Sequence, residues 1–379
     1  MIIRLVSFSF RWTPDEYAEF PDDPRVPFPV DFFSDTLMWA YRMARAGMSC
    51  RSPLCTMAAL IALCLPPAGL LGQAPISTAK TPAAGKNRTP PRTPDGQPDM
   101  QGVWATDSLT PLERPPEFAG KEFLTEQEAA EYERRTLAQV NSDRRDGGAE
   151  ADLRRNYNEF WRERPTKVAA GRRTSIIVDP PDGKIPPFTS EARRRMDARA
   201  GATGPDGPED LALRIRCISR DLPMIPTPNN NVLQIVQSRG YVAIYQEMMH
   251  EVRLIPLDGR PHADSNIRGY MGDSRGHWQG DSLVIDTTNF IGKSNFYGAD
   301  ENMHLTERLT RKDPGAILYQ FTVDDPTAFV RPWSGELSMR RSQEWVAEYA
   351  CHEGNYSMTN ILAGARAAEK RSADKATGK

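Results

Sequence analysis

An alternation of period two between residues 223 and 353 constrains the fold of this chain most strongly. Hydrophobic side chains recur there at every second position of several short segments, which is typical of strands with one buried face. Turn sequences rich in glycine, proline and aspartate separate these segments. With one strand further upstream, the predicted strands are Ser175–Asp179, Val232–Gln237, Tyr241–Ile255, Ser282–Thr288, Met303–Arg311, Ala316–Val323, Phe329–Arg340 and Trp345–Cys351.

About eight short strands with tight connections and no intervening helices indicate an antiparallel sheet. Proline accounts for 32 of 379 residues, about 8% against a usual share of roughly 5%, which argues against a helical bundle. We therefore expect a mainly β fold with peripheral α, built as an antiparallel lipocalin-like β-barrel. A two-sheet β-sandwich is the alternative. The β core, with a closing helix or loop, is placed at residues 223–366.

Helical signals lie mainly before the β core. Thr125 and Glu128 form a capping-box pattern, which predicts a helix from there to about Arg145. Two shorter helices are predicted at Glu191–Arg199 and near Pro208–Cys217. Their faces are mostly charged, so residues 99–222 are predicted to wrap the core, and residues 367–379 form a charged tail.

An export signal is predicted upstream of the folded region. Residues 57–65 are apolar but too few to span a bilayer, which needs about 20 residues. Gly72 and Ala74 supply the small residues that a signal peptidase requires. Residues 48–74 therefore predict a signal peptide that begins at Met48, and residues 1–47 are interpreted as a mis-called, non-native start.

These assignments predict an exported protein, periplasmic or extracellular, with no stable membrane span after cleavage. A lipoprotein anchored through Cys64 is the alternative, although Leu63 stands where the lipidation signal requires a small residue. Residues 75–98 are rich in proline, alanine and threonine and predict a linker.

Cysteine usage agrees with export. Three of the five cysteines lie in the predicted leader, which leaves Cys217 and Cys351 in the mature chain. An even number in an exported chain predicts one disulfide between them.

Three segments carry a resemblance to a known group. They read TPDGQPDMQGVW at residues 93–104, GDSRGHWQGDSLVIDTTNF at residues 272–290 and EYACHEGNY at residues 348–356. In these segments the chain resembles a broad group of exported bacterial β-rich proteins to which no activity is assigned. The resemblance covers about residues 93–366 and implies export and a single β-rich unit. Gln246 departs from the group, in which histidine often occupies this position.

Two serine motifs are interpreted as structural. Ser274 lies in a G-x-S-x-G pattern, but a nucleophile elbow needs a strand before the serine and a helix after it. Residues 266–271 do not predict such a strand, so a turn is expected here. Ser282 belongs to a GDSL sequence, yet it begins a predicted strand where the lipase and esterase motif requires a helix.

Polar residues on apolar strand faces give the candidate catalytic groups. In the predicted strand Tyr241–Ile255, Gln246 and His250 alternate in register with aliphatic residues, and Arg253 falls on the opposite face. Glu307 does the same in Met303–Arg311. An inward carboxylate needs a partner or a raised pKa. His250 and Glu307 are therefore candidates for an acid–base pair, and the alternative is a structural network in which Glu307 meets Arg308, Arg311 or a backbone amide.

Further candidate ligand-binding residues are Gln246, Trp278 and His352. Histidine spacing does not indicate a metal site, and no cofactor motif is present. With 48 basic and 50 acidic residues, the charge balance does not predict nucleic-acid binding. The sequence thus favours a protein that binds a small, mainly apolar molecule in its barrel. The alternative is a cofactor-independent lyase, isomerase or hydrolase that uses His250 and Glu307, and the oligomeric state is left open.

Overall fold

Ten β-strands form one antiparallel sheet in the part of the chain that the computed structural model of the protein describes. The structure describes residues 91–149, 151, 158–161, 165–200, 204–292 and 296–377. The predicted start region, signal peptide and most of the linker lie outside these residues. The strands are β1 (Gly102–Ala105), β2 (Ile177–Asp179), β3 (Val232–Ser238), β4 (Tyr241–Gln246), β5 (Glu251–Pro256), β6 (Asp273–Gln279), β7 (Ser282–Thr288), β8 (His304–Asp313), β9 (Ala316–Asp324) and β10 (Trp333–Arg341).

Nine of these strands follow one another in the order β5-β4-β3-β1-β10-β9-β8-β7-β6, and β2 pairs with β10 beside this path. Strands β3–β5 and β6–β10 are two meanders whose neighbours along the chain are also neighbours in the sheet. The short strand β1 joins them, because it pairs with β3 on one side and with β10 on the other. The segment 99–222 therefore contributes two strands to the sheet as well as helices.

The two ends of this path meet through side chains and nearly close the sheet. Arg253 on β5 donates from Nε to Ser274 Oγ on β6 over 2.8 Å. Gly276 on β6 permits this approach, because a Cβ there would lie 2.7 Å from Ile255 Cγ2. The predicted mainly β fold with an antiparallel barrel is thus confirmed, and the sandwich alternative is wrong.

The barrel interior is filled by alternate side chains of its strands. In β8 and β9 every second residue is buried while the intervening ones are partly exposed, as the alternation predicted. The interior holds large aromatic residues packed against aliphatic ones. The largest fully buried side chains include Trp104, Trp333, Tyr319, Phe290, Phe321 and Phe329.

The predicted single strand Tyr241–Ile255 is wrong, because the chain forms a hairpin there. β4 and β5 pair antiparallel, with Gln246 opposite Glu251. The connection places Met249 and His250 in left-handed conformations, with φ of 66° and 51°. This turn reverses which positions face inward after it. Val252 and Leu254 are 62% and 58% exposed on the outer surface, whereas Arg253 is buried.

Two other strand predictions are also corrected. Asp273–Gln279 is strand β6, so the GDSRG segment enters a strand rather than forming the predicted turn. Its inward positions are the small residues Ser274 and Gly276, which leave no hydrophobic alternation to recognise. Trp345–Cys351 is not a strand, and Trp345 is exposed.

Three helices lie entirely within the described ranges and outside the sheet, namely α1 (Glu126–Val140), α2 (Ser190–Ala200) and α3 (Ser357–Thr377). The capping box at α1 is confirmed: Glu128 N–H donates to Thr125 Oγ1, and Thr125 N–H donates to the Glu128 carboxylate. Near Pro208–Cys217 only the short 3-10 turn Pro208–Asp210 forms. No helix within the described ranges combines the length and hydrophobicity needed to cross a membrane.

The predicted disulfide between Cys217 and Cys351 is confirmed, with Cα atoms 5.7 Å apart. It joins the irregular segment that precedes β3 to the irregular segment that follows β10. We call these the 211–231 segment and the 342–356 segment. The bond therefore holds two stretches of chain without regular hydrogen-bond ladders at one end of the barrel.

Candidate functional site

A cavity of about 950 Å³ lies at the end of the barrel where β3 begins and β4 ends. We call it the mouth cavity. Residues of the 211–231 segment form one wall, and residues of the 342–356 segment form another. The lining is completed by Met248, the residues Phe296–Gly298, Met196 from α2 and Ser357 at the start of α3.

Specific bonds hold the 342–356 segment against the barrel. Tyr349 N–H donates to His250 Nε2, so this ring nitrogen is an acceptor and carries no proton. Asn355 Nδ2 donates to Cys217 Sγ over 3.2 Å, beside the disulfide. The cavity wall is thereby attached both to the β4–β5 turn and to the 211–231 segment.

Left-handed backbone conformations concentrate around the mouth cavity. Of the eight non-glycine residues with positive φ in the described ranges, six line the cavity or adjoin residues that line it. Such conformations cost about 1–3 kcal/mol each and are frequent at functional sites. The six residues are Cys217, Asp221, Asn230, Met249, His250 and Tyr297.

Arg220 is a nearly buried cation in the cavity wall, with 8% of its surface exposed. Its Nη2 donates to the Ile225 carbonyl oxygen over 2.8 Å and to Asn231 Oδ1 over 3.2 Å. Its Nη1 donates to Gln246 Oε1 over 3.4 Å. Burial lowers the pKa of Arg220 to about 10. The guanidinium therefore remains charged at neutral pH, although all three acceptors are neutral.

Asp221, the next residue, has the most perturbed carboxyl of the cavity. Burial raises its pKa to about 6 from the ordinary 3.8, and repulsion by Glu251 acts in the same direction. Arg214 partly opposes this shift. Asp221 Oδ1 has no hydrogen-bond partner among the described residues. A carboxyl that titrates near neutral pH in a cavity can accept or donate a proton under physiological conditions.

The raised pKa makes the stability of the fold depend on pH. The folded state binds the Asp221 proton more tightly than the unfolded state, so this residue lowers stability as the pH rises from about 4 to about 6. We expect Asp221→Asn to be more stable than the parent at about pH 8 by up to roughly 3 kcal/mol. At about pH 4 the two should be equally stable.

Urea unfolding at the two pH values measures this difference. The matched control is Asp197→Asn, which removes a carboxylate from the exposed face of α2 and should change stability by less than about 0.5 kcal/mol at either pH. Equal stability of Asp221→Asn and the parent at both pH values contradicts the raised pKa.

Glu307 occupies the barrel interior with 0% exposure, and its partners are Arg253 and Tyr319. Arg253 Nη2 donates to Glu307 Oε2, and Tyr319 OH donates to Oε1 over 2.7 Å. Burial, reinforced by Glu307, holds the pKa of Tyr319 well above its ordinary value. The Tyr319 hydroxyl also accepts from Met224 N–H, 3.1 Å away, in the 211–231 segment. The hydrogen-bond network of the barrel interior thus extends to the 211–231 segment, which lines the mouth cavity.

The structure does not bring the two predicted catalytic residues together. His250 lies in the β4–β5 turn, where its Nε2 is occupied by the Tyr349 backbone. Glu307 is bonded to Arg253 and Tyr319 inside the barrel. Gln246 is fully buried beside Arg220, and its Nε2 has no partner in the described part of the chain.

Two predicted ligand-binding residues lie elsewhere. Trp278 lines a second cavity of about 790 Å³ at the opposite end of the barrel, with residues 93–95 and Gln97 of the TPDGQPDMQGVW segment. His352 is exposed on the 342–356 segment, next to Cys351. Neither residue lines the mouth cavity.

A separate polar cluster lies on the outer surface of β6–β8. His262 contacts the carboxylates of Asp273 and Asp286 over 2.9 and 2.8 Å, and His304 also contacts Asp286. These contacts attach the β5–β6 connection to the barrel. In the described ranges, no three histidine, cysteine or acidic side chains are arranged to hold a metal ion.

Sequence reasoning missed Arg220, Asp221 and Arg253. Arg220 and Asp221 lie in an irregular segment, where no periodicity indicates orientation. Their position close after Cys217, whose disulfide anchors this segment, was the available signal. Arg253 was assigned to the outer face because the hairpin was not recognised.

A scan against models of known protein families and a search of curated proteins return no match to this chain.

Proposed function

We propose that the protein binds a small molecule in the mouth cavity. The observation that carries this proposal is a cavity of about 950 Å³ whose wall holds a nearly buried arginine. Small-molecule sites in proteins usually have volumes of roughly 300–1,000 Å³ and combine apolar walls with a few polar groups. The mouth cavity has a volume in this range, and its lining combines apolar side chains with polar groups.

The mouth cavity lies at the end of the barrel, whereas the sequence predicted a ligand inside the barrel. The barrel interior is occupied by aromatic and aliphatic side chains, so the proposed ligand lies at the barrel end. Ile215, Ile225, Met248 and Phe296 provide its apolar contacts. Arg220 and Asp221 provide its polar ones.

A fluorescence titration with the neutral, apolar probe phenylnaphthylamine tests the proposal. The probe should bind the full chain with increased emission. Asn229→Trp places a large side chain at the exposed rim of the cavity and should weaken binding at least about tenfold. Lys312→Trp, on an exposed residue near the opposite end of the barrel, is the matched control. Equal binding by both variants and the parent contradicts a ligand site here.

Acid–base catalysis in the same cavity is the second candidate function, and the raised pKa of Asp221 favours it. A general acid or base works best when its pKa lies near the working pH. Asp221 meets this condition, whereas His250 and Glu307 are engaged with other groups. In this role Asp221 moves a proton to or from the bound molecule.

Catalysis predicts turnover with an inflection near pH 6. Asp221→Asn should bind the molecule but lose turnover by about a hundredfold or more. Turnover that is unchanged in this variant contradicts the catalytic role and leaves binding alone.

We also propose that the protein is exported and loses its signal peptide after Ala74. The apolar run at residues 57–65 and the small residues before Pro75 support this, and the Cys217–Cys351 disulfide is compatible with it. N-terminal sequencing of protein expressed in a bacterial host should give Pro75 as the first residue. An exported product that retains residues 1–47 contradicts both the cleavage site and the start at Met48.

A further inference from the structure

The charge of Arg220 has no ion-pair partner in the part of the chain that the structure describes. The three hydrogen bonds of the Arg220 guanidinium group go to a backbone carbonyl, an asparagine and a glutamine. Glu247 attracts it electrostatically, but no carboxylate oxygen of a described residue lies within ion-pair distance of the guanidinium. Burying a cation without such a partner costs several kcal/mol. This cost is expected where the cation recognises something that is not part of the chain.

The donors of Arg220 are not all used. A guanidinium has five N–H groups, and the contacts with described residues use two on Nη2 and one on Nη1. The Nε–H group and one Nη1–H group therefore have no acceptor among those residues. Arg220 also lines the mouth cavity, and Arg214 adds a second positive charge to the same wall.

The remaining lining is apolar enough to bind a hydrophobic body. Met196, Ile225, Met248 and Phe296 line the cavity, and Tyr297 and Tyr349 add aromatic surface. A ligand that satisfies both parts of the cavity is amphipathic. It needs a hydrophobic part for these walls and acceptor oxygens for the arginine.

We infer that the mouth cavity takes a small molecule with an apolar body and one anionic oxygen group, a carboxylate, sulfonate or phosphate, which pairs with Arg220. This inference rests on the proposed function, because it names the ligand class of the same cavity. Arginine is suited to the task, since charge-assisted hydrogen bonds to such groups are about twice as strong as neutral ones.

Asp221 makes this recognition depend on pH. Glu251 and Glu353 supply further negative charge near Asp221, whereas Arg214 and Arg220 supply positive charge. An anion repels the ionised Asp221 carboxylate, so it binds better when that group is protonated. Affinity for an anion should therefore fall about tenfold as Asp221 ionises, and affinity for a neutral ligand should not change.

Two probes of similar shape distinguish the effect of ligand charge on affinity from the effect of ligand shape. Anilinonaphthalene sulfonate is phenylnaphthylamine with an added sulfonate, so the two share an aromatic body and differ in one anionic group. At about pH 5 the parent should bind the sulfonate at least about tenfold more tightly than the neutral probe. Arg220→Gln should lower the ratio of sulfonate affinity to neutral-probe affinity by about 10–100-fold, because the charge that pairs with the sulfonate is removed. Lys312→Gln is the control for loss of a cation at the exposed surface.

A second variant keeps the test valid if Arg220→Gln does not fold, as judged by circular dichroism. Asp221→Asn should bind the sulfonate equally at about pH 5 and pH 8, whereas the parent loses about tenfold over this range. A parent that binds both probes equally, or a loss in Lys312→Gln as large as in Arg220→Gln, overturns the inference but leaves ligand binding in the cavity intact. Failure of the parent to bind either probe overturns the proposed function as well.

Discussion

Replacing Glu307 by alanine should lower the free energy of unfolding by about 3–5 kcal/mol, because the change leaves Arg253 as an uncompensated buried cation. Both side chains are almost inaccessible, with 0% and 3% of their surfaces exposed. Tyr319 also loses the acceptor of its hydroxyl proton. Equilibrium unfolding in urea, monitored by tryptophan fluorescence, measures the loss.

Two variants distinguish the buried charge from simple loss of volume. The double variant Glu307→Leu, Arg253→Met removes both charges and should recover at least about 2 kcal/mol relative to Glu307→Ala. Asp179→Asn breaks an ion pair with Arg331 in which each side chain is 49% exposed, and it should cost less than about 1 kcal/mol. Similar losses for Glu307→Ala and Asp179→Asn contradict a buried ion pair.

Removing the Cys217–Cys351 disulfide should cost about 4–5 kcal/mol, because the unfolded chain gains the entropy of a loop whose ends are 134 residues apart. The double variant Cys217→Ser, Cys351→Ser removes the bond and retains similar side-chain volumes. Urea unfolding of the parent and the variant, both without reductant, measures the difference.

Reductant provides the internal control for this experiment. The parent should lose the same stability in reductant, whereas the serine variant should not respond to it. Titration of two free thiols in the oxidised, folded chain that starts at Pro75, in which Cys217 and Cys351 are the two cysteines, would show that the bond is absent. If the variant also loses phenylnaphthylamine binding while folded, the disulfide additionally maintains the wall of the mouth cavity.

Local patterns predicted those elements whose structure depends on neighbouring residues. Ser282–Thr288 is a strand at the predicted residues, because a short run of apolar and β-branched residues directly follows a turn sequence at Gly280 and Asp281. Glu307 was assigned to the inner face of its strand from the period-two alternation alone, and it is fully buried. Thr125 begins α1 through a capping box that involves only residues three apart.

The prediction of side-chain orientation failed after the β4–β5 turn, because this turn lacks the residue types that usually mark a turn in a sequence. Met249 and His250 adopt left-handed conformations that glycine or asparagine usually occupy. The β4–β5 hairpin was therefore not recognised, and the alternation of inward and outward positions was continued through it. Because one residue of shift moves every side chain to the other face, Arg253 was placed outside although it pairs with Glu307 inside.

The sequence by itself determined the class of this protein, a mainly antiparallel β fold, because alternation and turn chemistry act over a few residues, and it predicted the disulfide because only two cysteines follow the predicted leader. The choice of a barrel over a sandwich depends on how distant strands pair, so only the tertiary structure decided it. Tertiary structure alone decided that β1 lies between β3 and β10 and that two irregular segments enclose a cavity. The same holds for the site chemistry. The charge of Arg220 and the raised pKa of Asp221 depend on desolvation by groups distant in the chain, which no local pattern encodes.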